Sequence, residues 1–279
     1  MSRKIFIFSL ILAAAGTWGC SQKARDTAAG VEETMTFVDA HGEEHKMKID
    51  PDVEKNPYDP DAFQLDGVQM AYEGEDISDY RLGVDVSFYQ GEIDWEKVKA
   101  AGYDFAIIRL GYRGYGEEGN IHLDETYKTN IENASAAGLD VGVYFFAQAV
   151  NEKEAREEAE FVIDHLEGYE LDMPVVYDPE SITGDESRTQ DVSGKQFTKN
   201  ARAFCEEIEK TGYESMIYSN MLWEAYEFDL AKLADYPIWY ADYEAKPQTP
   251  YNFRIWQYTE SGQVDGIQGD VDLNIELIK

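Results

Sequence analysis

The strongest chemical signal in this chain is a pair of carboxylic acids two residues apart at the end of an apolar run, Val175-Val176-Tyr177-Asp178-Pro179-Glu180. Residues i and i+2 of a strand project to one face, so Asp178 and Glu180 are neighbours. Neighbouring acids at an apolar mouth cannot both ionise freely, and one pKa is driven up. A proton donor then stands beside an anion, which is the pair that glycosidic cleavage needs. Pro179 lacks an N–H and belongs at a strand end, not in mid-ladder. A solvated acidic turn after a strand would carry the same residues. A second place is Gly83-Val84-Asp85-Val86-Ser87. An acid inside that apolar strand is expensive unless it is paired or reaches a mouth. A third is Trp239-Tyr240-Ala241-Asp242-Tyr243, followed by Trp256-Gln257-Tyr258 and Val271-Asp272-Leu273-Asn274. Tyr144, Phe146, Tyr218, Trp239, Tyr240, Trp256 and Tyr258 all lie at strand ends. Their faces suit stacking on sugar rings, and each alone also suits a core.

These residues need strands to aim them. Strand-like runs occur at Leu82–Val86, Phe105–Leu110, Val141–Phe146, Pro174–Tyr177, Ser215–Tyr218, Pro237–Tyr240 and Phe253–Tyr258. Helix-like stretches separate the early ones: Asp94–Ala101 closing on Gly102, Leu123–Ala137 closing on Gly138, a helix capped by Asn151, Ser193–Thr211 closing on Gly212, and Met221–Asp235. Helices that close on glycine and feed a strand imply βα units and a parallel sheet. After Pro237 the helices vanish and strands crowd together. The pattern predicts an α/β chain forming a shortened or irregular (β/α) barrel, with catalytic groups at the C-terminal strand ends.

Composition excludes several function classes. A hydrophobic content of 43% supports a packed core, so the chain is globular. A net charge of −32 argues against nucleic acid and against anionic lipid surfaces. Two cysteines and four histidines, with no His-Glu-x-x-His, argue against catalytic zinc. Gly114-Tyr115-Gly116-Glu117-Glu118-Gly119 matches a dinucleotide-binding spacing, but two glutamates would repel a pyrophosphate. It reads instead as a flexible strand-to-helix loop lining the cleft. Cys205 falls on a helical apolar stripe and reads as a buried hydrophobe.

The first eighty residues differ from the rest. Arg3 and Lys4 precede the apolar run Ile5 to Ala15, which has the charge order of an export signal and is short for a membrane span. It ends at Thr17-Trp18-Gly19-Cys20, which resembles a lipobox with Cys20 as the lipidated residue. The expectation is an exported protein, either secreted or membrane-anchored on the outer face through Cys20. Residues 21–80 hold 5 basic and 16 acidic side chains. Thr36–Asp39 with Lys46–Ile49, and Phe63–Leu65 with Val68–Tyr72, read as small hairpins. The segment is expected to be an acidic spacer, with the catalytic unit spanning 81–279.

Several of these motifs, taken together, resemble glycoside hydrolase family 25, the Chalaropsis-type lysozymes. They are Gly83-Val84-Asp85-Val86-Ser87-Phe88-Tyr89-Gln90-Gly91 with Ile93-Asp94-Trp95, Phe105–Arg109, Ala137–Phe146, Pro174–Glu180, Ile238–Ala241, and Trp256-Gln257-Tyr258 through Val271–Asn274. The resemblance implies an irregular (β/α)5β3 barrel of eight strands. It implies cleavage of the β-1,4 bond between N-acetylmuramic acid and N-acetylglucosamine in peptidoglycan. Glu180 matches the general acid/base. Asp178 matches its partner, acting as nucleophile or as support for the substrate acetamido group. Asp85 and Asp272 match further acids of the site. Gln90, Tyr144, Phe146, Tyr218, Trp239, Asp242, Trp256 and Gln257 are the expected substrate contacts. No metal or organic cofactor is implied. The protein is expected to act as a monomer on glycan strands. The alternative is a non-catalytic wall-binding protein on the same barrel, and a third reading is cleavage of another N-acetylated glycan.

Overall fold

A computed structural model describes residues 32–75, 77–182 and 186–278. The expected export signal at residues 1–20 and its Cys20 lie outside them. Residues from Glu33 onward form one compact unit. No described helix is long and apolar enough to cross a membrane.

Two antiparallel hairpins come first: β1 (Thr34–Val38) with β2 (Glu44–Lys48), and β3 (Phe63–Asp66) with β4 (Gln69–Tyr72). The barrel follows. Its strands are β5 (Asp79–Val86), β6 (Phe105–Arg113), β8 (Asp140–Ala147), β9 (Val175–Pro179), β10 (Ser215–Asn220), β11 (Ile238–Ala241), β12 (Ile255–Gly262) and β13 (Val271–Ile278). Short β7 (Ile121–Leu123) pairs antiparallel on the side of β6. Neighbours from β5 through β12 run parallel, while β13 runs antiparallel between β12 and β5 and closes the ring. This is an eight-stranded closed barrel. Helices α1 (Trp95–Ala100), α2 (Tyr127–Ala136), α3 (Glu152–Leu166) and α4 (Gly194–Glu209) fill the first four crossovers. Side-chain caps start three of them: Asp94 accepts from Lys97 N, Asn151 from Glu154 N and Ser193 from Gln196 N.

The fifth crossover is not the regular helix expected over Met221–Asp235. It is a wide helical turn at Trp223–Glu227, closed by Phe228 N donating to Trp223 O, and a 3₁₀ turn at Leu230–Lys232. Trp223 packs on Phe197 of α4 at 4.8 Å and on Phe228 at 5.0 Å. That packing holds Phe228 extended and interrupts the helix. The glycine-rich loop at 114–119 also differs from expectation. It closes the β6–β7 hairpin, with Gly114 N bonded to Asn120 O, and is not part of the cleft lining.

Alternation along each strand sorts side chains into two cores. Phe105, Ile107, Val176, Met216, Trp239 and Ile255 fill the barrel interior. Gly83 is required there, because a Cβ at this position would lie 2.2 Å from the Phe105 ring. Outward residues such as Tyr177, 5.1 Å from Phe204 of α4, pack beneath the helices. Cys205 is fully buried in that outer core.

The acidic spacer expected over 21–80 is, from Glu33 on, part of the fold. Phe37, Met47, Tyr58, Phe63, Met70 and Tyr72 are each 1–5% exposed and belong to the outer core. Phe63 meets Trp256 at 4.9 Å, Tyr58 OH donates to Phe253 O, and Tyr258 OH donates to Val68 O. The charges occupy the solvent faces of these hairpins while alternate apolar residues face the barrel.

Candidate active site

All eight barrel strands bring one end to the same mouth. For the parallel strands this is the C-terminal end, and for antiparallel β13 it is the N-terminal end. A cleft of about 800 Å³ opens there, lined among others by Asp85, Tyr144, Asp178, Glu180, Tyr218, Trp239, Asp242, Gln257 and Asp272. A separate cavity of about 650 Å³, lined by Arg81, Pro237, Arg254 and Glu276, lies at the opposite strand ends and carries none of the motif acids.

Asp178 and Glu180 reach the cleft because Tyr177 and Pro179 take the outward positions of β9. Asp178 is buried, and its Oδ1 has no hydrogen-bond partner among the protein groups. Glu180 is accessible from the cleft, and its backbone carbonyl accepts from Gln148 Nε2 at 2.7 Å. Burial, then the charges of Glu180 and Asp85, push the Asp178 carboxyl well above the usual carboxylate range. Enclosure by the cleft walls and the charge of Asp85 push Glu180 up to about 7, against the pull of Arg109. Water entering the mouth screens part of the effect at Glu180.

Asp85 and Asp272 face each other across β5 and β13. Burial, the Asp85 charge and the hydrogen bond between them push Asp272 up to about 9. The two carboxyls therefore titrate as a pair, above the usual carboxylate range. Burial also raises Asp85, opposed by donors from Asn274 Nδ2 at 2.8 Å and Gln257 Nε2 at 2.9 Å. Those amides are themselves oriented. Trp239 Nε1 donates to Asn274 Oδ1 at 2.8 Å, and the hydroxyls of Tyr218 and Tyr243 donate to Gln257 Oε1 at 2.9 and 3.0 Å. Asp85 thus sits at the centre of a satisfied polar network that fixes the cleft floor.

The aromatic residues divide by strand parity. Tyr144, Tyr218 and Trp239 point inward, with Trp239 edge-on to both tyrosines at 6.1 and 4.9 Å. Trp256 does not reach the cleft: it lies on the outer face of β12 beneath Phe63, and its Nε1 donates to Asp242 O. Tyr240 and Tyr258 share that outer placement, packed on Phe253 and Trp256. Phe146 is half-buried and outside the lining. Gln90 is also outside it, because its Oε1 caps the turn after β5 by accepting from Ser87 N. Asp242 lines the cleft and is held by Tyr240 OH and Gln248.

Several site residues carried no site assignment from sequence reasoning. Arg109 projects its charge toward Asp178 and Glu180 and is held by Asp124 at 2.9 Å and the rings of Phe88 and Tyr89. Its position two residues beyond Ile107 on an inward-facing run was the available signal. Tyr243 and Asn274 fall within the motifs of the third candidate place, but their parts rest on long-range bonds to Gln257 and Asp85 that spacing does not report. Among the described residues, Asp39, Glu43 and His45 are close enough to hold an ion, but Asp39 already accepts from His45 and the turn backbone.

A closed barrel with paired carboxyls at its C-terminal mouth is the arrangement of a barrel glycosidase. The chain belongs to glycosyl hydrolases family 25, whose profile matches residues 84–267. It is similar to the autolytic lysozyme of Clostridium acetobutylicum, at 29% identity over 69% of this chain and 54% of that protein. The chain thus spans about half the length of that relative. Lysozyme M1 of Streptomyces globisporus is 30% identical over 69% of this chain and 66% of its own. Among solved structures, the bacterial lysozyme of Streptomyces coelicolor superposes with a TM-score of 0.57 at 26% identity, covering 70% of this chain and 90% of that one.

Proposed function

We propose that the protein is a peptidoglycan hydrolase of the muramidase type, cleaving the β-1,4 bond between N-acetylmuramic acid and N-acetylglucosamine. The observation that carries the reading is the Asp178–Glu180 pair opening into a cleft with Asp85 and Asp272. Glu180, raised to about 7 and open to the cleft, is suited to deliver a proton to the leaving oxygen. Asp178 offers an unpartnered acceptor atom beside it. In its ionised form Asp178 would act as nucleophile or would accept the acetamido N–H and support the charge developing at the sugar. Asp85 and Asp272 form a proton-sharing floor, and Tyr144, Tyr218 and Trp239 give the sugar an apolar wall. Four motif acids converging on one cleft of a family 25 barrel support catalysis over wall binding alone. Export is supported by the signal-like residues 1–20, with Cys20 the site of a lipid anchor and the protein acting as a monomer on glycan strands.

The deciding experiment digests purified cell wall with the full chain, reduces the products with borohydride and identifies the new reducing ends by mass spectrometry. Reduced N-acetylmuramic acid is expected. New ends on N-acetylglucosamine, or no new ends, would contradict the assignment.

A further inference from the structure

We propose that the β1–β2 hairpin is a substrate-binding wall of this cleft. Its tip, Ala40 and His41, would contact a neutral sugar of the glycan chain beyond the two that flank the cleaved bond. This rests on the glycan-hydrolase reading above and adds to it a determinant of chain-length preference. Residues Val38–Gly42 line the same cleft as Asp178 and Glu180. They lie outside the span matched by the family profile, which begins at residue 84. The wall is therefore placed by this chain's own N-terminal segment and not by the barrel core.

The hairpin is fixed to the barrel beside the site. Val38 N donates to Gln248 Oε1 and Gln248 Nε2 donates to Val38 O, both at 2.8 Å. The same Gln248 amide reaches Asp242 of the cleft at 3.2 Å. Tyr226 OH donates to Lys46 O, and Phe37 and Met47 are buried against the barrel. The tip is also preformed. Asp39 Oδ1 accepts from the N–H groups of His41 and Glu43, each at 2.9 Å, while Oδ2 bonds His45 Nε2 at 2.8 Å. Gly42 takes the positive φ of 80° that the turn needs. The Asp39 carboxylate is thus occupied by the turn, and the exposed His41 imidazole is the group presented to a ligand. A wall already rigid loses little entropy on binding.

The charge of the cleft selects the ligand. Its lining holds no Lys or Arg, and besides the raised acids of the floor and the Asp178–Glu180 pair it carries Asp39, Asp242, Glu244 and Glu260. An anionic peptide stem would be repelled along this wall, whereas hydroxyl and acetamido groups would not. An imidazole can donate to and accept from such groups. The occupant is the sugar chain.

The test compares wild type, His41→Ala and Ala40→Trp in the full chain. Substrates are long glycan strands stripped of their peptides and a short tetrasaccharide of the same repeat. His41→Ala should raise KM on long strands by about three- to tenfold, the range of one lost hydrogen bond, with kcat within about twofold. Ala40→Trp should narrow the cleft and reduce the preference for long over short substrate by at least about tenfold. A merely structural lesion would instead lower kcat and melting temperature together on both substrates. Wild-type KM on long strands in both variants would overturn the proposal. If wild type cleaves neither substrate, the muramidase reading fails separately. The hairpin is then judged by co-sedimentation with insoluble glycan, where His41→Ala should bind more weakly and equal binding would refute it.

Discussion

Replacing Phe63 by alanine measures whether the second hairpin belongs to the barrel's fold. Phe63 is 4% exposed, with its ring edge-on to Trp256 at 4.9 Å and to Tyr72 at 4.7 Å. Truncating a buried phenylalanine removes its transfer free energy and leaves a cavity, together about 3–5 kcal/mol. Two edge-to-face partners place this site in the upper half of that range, about 4 kcal/mol. Domains of this size lose about 2–4 °C of melting temperature per kcal/mol, so the fall should be about 8–16 °C. Urea unfolding followed by tryptophan fluorescence gives the free energy directly. Leu65, on the same strand but 62% exposed, is the control, and Leu65→Ala should shift stability by less than about 0.5 kcal/mol. A Phe63→Ala protein whose main transition stays at the wild-type midpoint would show that the hairpin is an independent appendage.

Other consequences follow from the buried acids. Hydrolysis should fall as pH rises through about 7, where Glu180 loses its proton. Asp85→Asn removes the like charge that raises Glu180, so in a kcat/KM profile the alkaline limb of its residual activity should move to lower pH; an upward shift would refute the coupling. Glu224 is buried, accepts from Thr249 Oγ1 at 2.6 Å, and is pushed up to about 8 by burial. Its raised pKa gives stability that is full below the unfolded value near 4.3 and lost as pH climbs through about 8. Glu224→Gln stays neutral and should therefore exceed wild type at pH 9 by on the order of a few kcal/mol, with the gap closing near pH 4 in thermal melts. Asn274→Ala leaves Trp239 Nε1 without its partner and should cost about 1–3 kcal/mol in urea unfolding.

The Asp178–Glu180 pair was legible because i, i+2 acids at the end of a short apolar strand share one face, although a solvated acidic turn would carry the same residues. Asp85 was legible as an acid that an apolar strand could tolerate only at its mouth. Strand parity was available but unused at Trp256. If Gln257 faces inward to Asp85, its neighbour must face outward, and Trp256 does so beneath Phe63. Both hairpins form as the sequence pattern implies, but the segment's net charge hides the alternating Phe37, Met47, Phe63, Met70 and Tyr72 that pack them on the barrel. Their partners are Gln248, Phe253 and Trp256, about two hundred residues away, and local pattern does not report such contacts. The irregular turn at Trp223–Glu227 was equally hidden, because the packing of Trp223 on Phe197 overrides a passable helical pattern.

The central claim is that Glu180 is the proton donor in a glycan cleft, and Glu180→Gln tests it most directly. The amide keeps the size of the side chain and cannot deliver a proton. Release of soluble fragments from dye-labelled peptidoglycan should fall by about 10²–10⁴-fold, while co-sedimentation with insoluble wall and the melting temperature stay near wild type. A variant that keeps more than about a tenth of wild-type turnover would remove Glu180 from that role and contradict the account.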